Sequence, residues 1–253
     1  MRGIEVRAAA LYMRLLAAMG RSRKTLSLAS GERMSVRTND TLARRLLAER
    51  WFEPSIRQKL RGHVYNGATV VDIGANIGYY TVQAASLAGP QGRVLAFEPQ
   101  PLVRGELIAN LTLNRLSNVT VLPYALSDRT ETVRFCVPRP GNESMGSLRF
   151  NERFETDCEI EVDARCLDDV LEAANCKRID FVKMDAEGAE LPIVNGASRL
   201  FSSPERPCVV FEACEENCAP FGYRVFDLLK VFWEFGYQLT QVDSESWFAE
   251  PRT

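Results

Sequence analysis

A chain of 253 residues with 46% apolar and 25% charged residues is long enough for one large α/β domain with a substantial core, and its composition is ordinary for a globular protein. The net charge of −2 hides an asymmetry. Residues 1–62 carry 14 Lys+Arg against 5 Asp+Glu, a net of +9, whereas the other 191 carry 17 against 28, a net of −11. No run of 18 apolar residues occurs, so no transmembrane helix is expected. Seven cysteines without a C-x-x-C pair argue against a disulfide framework or a zinc site, and fit a reducing, cytoplasmic compartment.

The apolar stretch Ala8–Met19 has Arg14 in its middle and no small-residue cleavage site after it, which argues against a signal peptide. Its spacing predicts an amphipathic helix with Ile4, Leu11, Leu15 and Met19 on one face and Arg7, Arg14 and Arg21 along one side. Docking of that helix on the domain or on a dimer partner is expected, with a membrane surface as the alternative. Gly31–Val36 reads as a hairpin. A helix follows from Thr41 through Leu42, Leu46 and Leu47, and Trp51-Phe52-Glu53-Pro54 closes it, because a residue before proline avoids helical backbone. Ser55–Leu60 opens another short helix.

The next stretch, Thr69–Gly78 (T-V-V-D-I-G-A-N-I-G), joins a buried-strand composition to a glycine turn and the start of a helix. The turn lacks the G-x-G-x-x-G spacing of a dinucleotide site, and Asp72 before the first glycine would repel a pyrophosphate. It would attract a cationic ligand such as S-adenosylmethionine, which has an ammonium and a sulfonium and no phosphate. Val94–Phe97 is a second strand, and Glu98 at its end is placed to accept hydrogen bonds from both hydroxyls of a ribose.

Strands at 69–73, 93–97 and 119–123 alternate with helices at 78–88 and 101–115, the pattern of a mostly parallel sheet covered on both faces. Glu131–Val137 and Cys158–Val162 then read as antiparallel strands, with Cys136 and Cys158 at inward positions. Between them Pro138–Glu155 is a polar insertion, either a disordered tip or a substrate loop. Further on come a helix at 167–174, a buried strand Ile179–Met184, a helix Glu187–Asn195, a strand Cys208–Phe211, a helix Phe221–Phe235 capped by Gly236, and a closing pair at Tyr237–Val242 and Ser246–Ala249.

Four pieces in order, V-V-D-I-G-A-N-I-G-Y-Y-T, F-E-P, Y-A-L-S-D and F-V-K-M-D-A-E-G-A-E, resemble the FkbM family of S-adenosylmethionine-dependent methyltransferases over about Asp40–Glu212. The resemblance implies a class I methyltransferase (Rossmann-like) fold: a mostly parallel seven-stranded sheet with its last strand antiparallel, helices on both faces and an inserted β-hairpin. Residues 1–62 would be a basic helical extension or cap and 63–253 the catalytic domain. It also implies that Asp72, Gly74, Asn76 and Gly78 line the methionine end of the cofactor, with Glu98 on the ribose and Pro99 shaping that turn. Ala125 and Leu126 would pack by the adenine, and Ser127 or Asp128 would meet its amine.

At the fourth strand end, where ligands bind in a doubly wound sheet, Asp185 and Glu187 are candidates for general base and substrate-orienting group. Glu190, Glu53 and Glu212 are further acids of that region, and nothing there requires a metal. His63 lies before the first core strand, away from the catalytic ends. The activity expected is O-methylation of a sugar or other small natural product, with N-methylation of a small amine or a non-catalytic cofactor-binding module as alternatives. The partners expected are a small-molecule or glycan acceptor, without nucleic acid or stable membrane insertion, and a homodimer stays open.

Overall fold

The computed structural model describes residues 2–48, 53–139, 146–150 and 156–252. The basic front folds as a helix α1 (Arg2–Ala18), a hairpin of β1 (Arg23–Ser27) and β2 (Arg33–Arg37), and helices α2 (Thr41–Ala48) and α3 (Pro54–His63). Trp51 and Phe52, expected to help close the second helix, lie outside the described residues.

The body then alternates β3 (Thr69–Ile73), α4 (Tyr79–Ala88), β4 (Arg93–Phe97), α5 (Pro101–Leu113) and β5 (Val119–Leu122). A side sheet follows: the two-residue strand β6 (Ala125–Leu126), β7 (Glu131–Pro138) and β8 (Thr156–Arg165). The alternation resumes with α6 (Leu167–Ala173), β9 (Phe181–Met184), α7 (Glu190–Asn195), α8 (Ser198–Ser202) and β10 (Cys208–Glu212). The chain closes with α9 (Glu215–Cys218), α10 (Val225–Glu234), β11 (Tyr237–Gln241) and β12 (Ser246–Pro251).

Seven strands form one sheet in the order β11-β12-β10-β9-β3-β4-β5. Only β12 runs against its neighbours, inserted between β10 and β11. This is the class I methyltransferase arrangement that the resemblance implied. Its strands are mostly apolar because both faces are covered: Val70 belongs to the core cluster that holds Ala84, Ala88 and Leu107, while the next residue, Val71, belongs to the one that holds Ile193, Phe201 and Phe232 on the other face.

Part of the charge asymmetry is resolved inside the chain. Arg37 and Arg23 of the hairpin meet Glu106 of α5 at 2.8 and 3.0 Å. The Ser35 amide donates to Asn110 Oδ1 at 2.7 Å, and Asn110 Nδ2 donates to the Ile77 carbonyl, so the hairpin is tied to the glycine turn through α5.

Several expectations are corrected. Helix α1 packs on α2 and buries Ala9, Met13 and Leu16, so the face it turns to the body is not the one expected to dock there: Leu11, Leu15 and Met19 are exposed. Residues 9, 13 and 16 are also spaced as one helical stripe, and the helix therefore has two apolar stripes, of which the body takes the second. The side chains of Ile4 and Arg7 lie outside the described ones. Cys158 is exposed in the outer half of β8, whereas Cys136 is buried on β7, where its backbone pairs with that of Ser147. The helix expected from Glu187 starts at Glu190, since Glu187 and Gly188 have left-handed backbone (φ 51° and 101°). The helix expected from Phe221 starts at Val225.

Candidate active site

The C-terminal ends of β3, β4, β9 and β10 open onto a cleft of about 210 Å³. Its floor is the glycine turn. Gly74 has φ 70°, and a Cβ there would lie 1.8 Å from the Asp185 carbonyl oxygen. Two strand ends thus approach as closely as a missing side chain allows. We expect Gly74→Ala to cost about 2–5 kcal/mol, left-handed strain and overpacking together, and to abolish cofactor binding. Denaturant unfolding and calorimetry would check both.

Next to that turn stands Glu98, 6% exposed. Its Oε2 accepts from the Asn76 amide and its Oε1 from the Gln100 amide, each at 2.9 Å. Burial pushes its carboxyl up to about 7, against the opposing pull of those two amides. A carboxylate has about four lone-pair positions, so each oxygen keeps one for a further donor. That capacity fits a ribose with two hydroxyls.

Six of the residues named for cofactor binding meet at this cleft: Gly74, Asn76, Glu98, Pro99, Ala125 and Leu126. The other three stand outside its lining. Asp72 is 1% exposed beneath the turn, where Oδ2 accepts from Thr81 Oγ1 at 2.6 Å and Oδ1 lies 3.9 Å from Lys183 Nζ. Gly78 starts α4 and packs on Leu107. Asp128 pairs at the surface with Arg129, whose hydrogen bond and charge hold its carboxyl below the usual range.

Asp185 and Glu187 both line the cleft. Lys183, on the buried strand β9, sits 3.3 Å from Asp185 Oδ2 and donates to the Gly74 carbonyl at 3.3 Å. Burial pulls the Lys183 ammonium down, but Asp185, Asp72 and Glu53 more than offset it, and the net shift is upward. Lys183 is a fixed cation that ties both strand ends together. Glu187 Oε2 and Glu212 Oε2 each accept from Asn217 Nδ2 at 2.9 Å, which spaces two acids that would otherwise repel. The turn holding Glu187 is itself clamped: a Cβ on Gly188 would lie 2.0 Å from the Asn217 carbonyl oxygen.

Glu53 enters the cleft from the N-terminal side and accepts a hydrogen bond from Tyr80 Oη. Burial, helped by Asp185, raises its carboxyl to about 7. Glu190 has a different place: its Oε1 accepts from the Ala186 amide at 2.7 Å, and it braces the loop after β9. His63, at the end of α3, puts Nδ1 2.8 Å from the Lys59 carbonyl, away from the cleft. Among the described residues, three potential metal ligands converge within 4.8 Å at His63, Cys208 and Glu250, near the opposite ends of the strands.

Sequence reasoning missed Lys183, Tyr80 and Asn217. A signal existed for the first: F-V-K-M places a charge inside a buried strand, and such a charge requires partners. The polar insertion reaches the cleft too. Gly146 and Leu148 line it, and Ser147 Oγ donates to the Glu187 carbonyl at 2.9 Å. Residues 140–145 and 151–155 of that insertion lie outside the described ones.

A model of the FkbM methyltransferase domain matches residues 72–239, from the acid beneath the turn to the strand β11. The chain belongs to the FkbM family of S-adenosylmethionine-dependent methyltransferases. It is 32% identical over 182 residues to methyltransferase sdnD of Sordaria araneosa, covering 61% of this chain and 68% of that one. It is 31% identical over 143 residues to methyltransferase 1 of Beauveria bassiana strain ARSEF 2860, covering 50% of this chain and 57% of the other. The fold is also similar to Aeropyrum pernix fibrillarin in complex with S-adenosyl-L-methionine, at 14% identity and a TM-score of 0.47 over 91% of this chain and 94% of that one. So loose a likeness carries little, and the strand order of this FkbM methyltransferase stands on its own. Among the described residues, no helix is long and apolar enough to cross a membrane.

Proposed function

We propose that this methyltransferase acts on a hydroxyl of a sugar or another small natural product. The observation that carries the reading is Asp185. One of its oxygens is held by Lys183 at 3.3 Å, while the carboxylate lies at the cleft with 38% of the side chain exposed. A base that is anchored at one oxygen and open at the other is oriented before the acceptor arrives.

S-adenosylmethionine would supply an electrophilic methyl group, the methyl–sulfur bond breaking and the sulfur leaving as a neutral thioether. Glu98 would take the ribose hydroxyls, and the bare backbone of Gly74 would let the cofactor approach the sheet. Asp185 would then accept the acceptor's proton as the new oxygen–carbon bond forms. Glu187 and Glu212, spaced by Asn217, would accept hydrogen bonds from neighbouring hydroxyls and turn the reacting oxygen toward the methyl. Alignment supplies much of the acceleration in such a displacement. The acceptor would be a small molecule or glycan and not a nucleic acid, since the body is acidic.

A second reading, N-methylation of a small amine, draws support from the carboxylates Glu53, Asp185, Glu187 and Glu212 at one cleft, which would attract a cation. Incubation with methyl-labelled cofactor and a panel of sugars, polyols and amines separates the two. Label in O-methyl products supports the proposal, and label confined to N-methyl products overturns it.

A further inference from the structure

Helix α1 has an apolar stripe that nothing among the described residues covers. Leu11, Leu15 and Met19 are 60%, 54% and 75% exposed, and Tyr12 stands beside them. They follow one another at i, i+4 and i+8, on a different side from the buried Ala9, Met13 and Leu16 stripe. Three solvent-exposed large side chains on one line are more than scattered surface apolars.

Charge narrows what could cover this stripe. Arg14 lies on α1 next to the stripe, and Arg21 follows at the helix end; both are exposed, and neither has an ion pair among the described residues. Lys24 of β1 lies over the Tyr12 ring at 5.8 Å, which sets a third cation on the opposite flank of the stripe from Arg14. The segment is the basic part of the chain, and Arg23 and Arg37 are already paired inward, both with Glu106 and Arg37 also with Asp40. A twofold contact between copies through this face would set Arg14 and Arg21 against a second set of the same cations. An apolar stripe bordered by arginines instead matches a surface with acyl chains below and negative charge above.

We infer that α1 is an interfacial helix that lays Leu11, Leu15 and Met19 into an anionic lipid surface, with Arg14, Arg21 and Lys24 at the headgroups. The helix lies in the plane of the surface, not across it, and at 17 residues it need not span. Because α1 packs on α2, and Leu42 and Arg45 of α2 line the cleft, adsorption would hold the cleft's rim one helix away from the lipid. The inference is independent of the acceptor's identity.

Co-sedimentation of the full chain with vesicles tests it, using phosphatidylcholine alone and phosphatidylcholine with phosphatidylglycerol. Binding to the mixed vesicles and not to the neutral ones is expected, with a loss as salt is raised. Arg14→Glu with Arg21→Glu should weaken it at least tenfold, from about fivefold per lost cation. Leu11→Glu with Leu15→Glu should abolish it. Both double variants should keep the wild-type melting temperature and cofactor affinity, since none of the four side chains is buried. If the protein ignores anionic vesicles, or binds them equally after Leu11→Glu with Leu15→Glu, the inference is wrong. Light scattering that shows a dimer dissociated by the same leucine variants, without vesicle binding, would give the stripe to a second copy and overturn it as well.

Discussion

Replacing Asp185 by Asn is expected to leave cofactor affinity unchanged and to lower turnover by about 10²–10⁴-fold, the usual scale of general-base catalysis. Asn keeps the shape and can still accept from Lys183 Nζ, which lies 3.3 Å from Oδ2. It cannot take a proton. Some of the loss must be checked against packing, because removing one partner of a buried ion pair can destabilise by about 3–5 kcal/mol. Lys183 is 5% exposed, but Asp72 Oδ1 still lies 3.9 Å away and the Gly74 carbonyl 3.3 Å away, so the ammonium keeps partners. A melting temperature close to wild type with turnover lost would therefore mark a chemical role. If turnover falls less than tenfold, the base is another group, and Glu53, raised to about 7 and lining the same cleft, is the next to test. Its use as a base would show as a rate that rises with pH through about 7 and is lost in Glu53→Gln. Survival of wild-type activity in chelator is the companion measurement. Loss on chelation with rescue by Mg²⁺ would instead assign Asp185 and Glu187 to a cation.

Glu98→Gln should weaken S-adenosylmethionine binding by about 1–3 kcal/mol, through lost charge-assisted bonds to the ribose. The substitution also turns an amide NH₂ toward the Asn76 or Gln100 amide, each now 2.9 Å from a carboxylate oxygen. The effect carries a pH signature. With the free protein's Glu98 carboxyl raised from 4.5 to about 7, it is largely protonated at pH 6, and ribose hydroxyls favour the ionised form. Affinity should therefore rise with pH through about 7, and binding should release a proton, seen as a dependence of calorimetric heat on buffer ionisation. In Glu98→Gln that dependence should vanish.

Stability should move the opposite way. A carboxyl whose folded value is raised binds its proton more tightly when folded, so its contribution is fully present below about 4.5 and is lost as pH rises through about 7. Glu53 and Glu190, each raised by burial to about 7, act in the same direction. The free enzyme should melt higher at pH 5 than at pH 8, and saturating cofactor should narrow the gap. Equal affinity of wild type and Glu98→Gln across this range would remove Glu98 from the cofactor site.

Much of this protein is determined locally, and that part was legible. Short apolar runs at 69–73, 93–97 and 208–211 read as strands buried on both faces, and the glycines at 74 and 78 as turn positions between strand and helix. Acids at strand ends, Glu98 and Asp185, follow from the same pattern because the ends of parallel strands converge on one edge. What the sequence could not decide depends on which surfaces meet. Helix α1 has two apolar stripes of similar strength, and only the shape of α2 and the body selects Ala9, Met13 and Leu16. Asp72 and Glu98 look alike as acids beside the glycine turn, yet Thr81 and Lys183 close around the first while the second lines the cleft. Asn217 and Ser147 come from distant segments to hold the Glu187 turn, a convergence with no local trace. Spacing along one strand or helix fixes which residues can face together, because backbone geometry is local. Which of those faces is then buried, paired or left to a ligand is decided by the partner surface, and that exists only once the chain has folded.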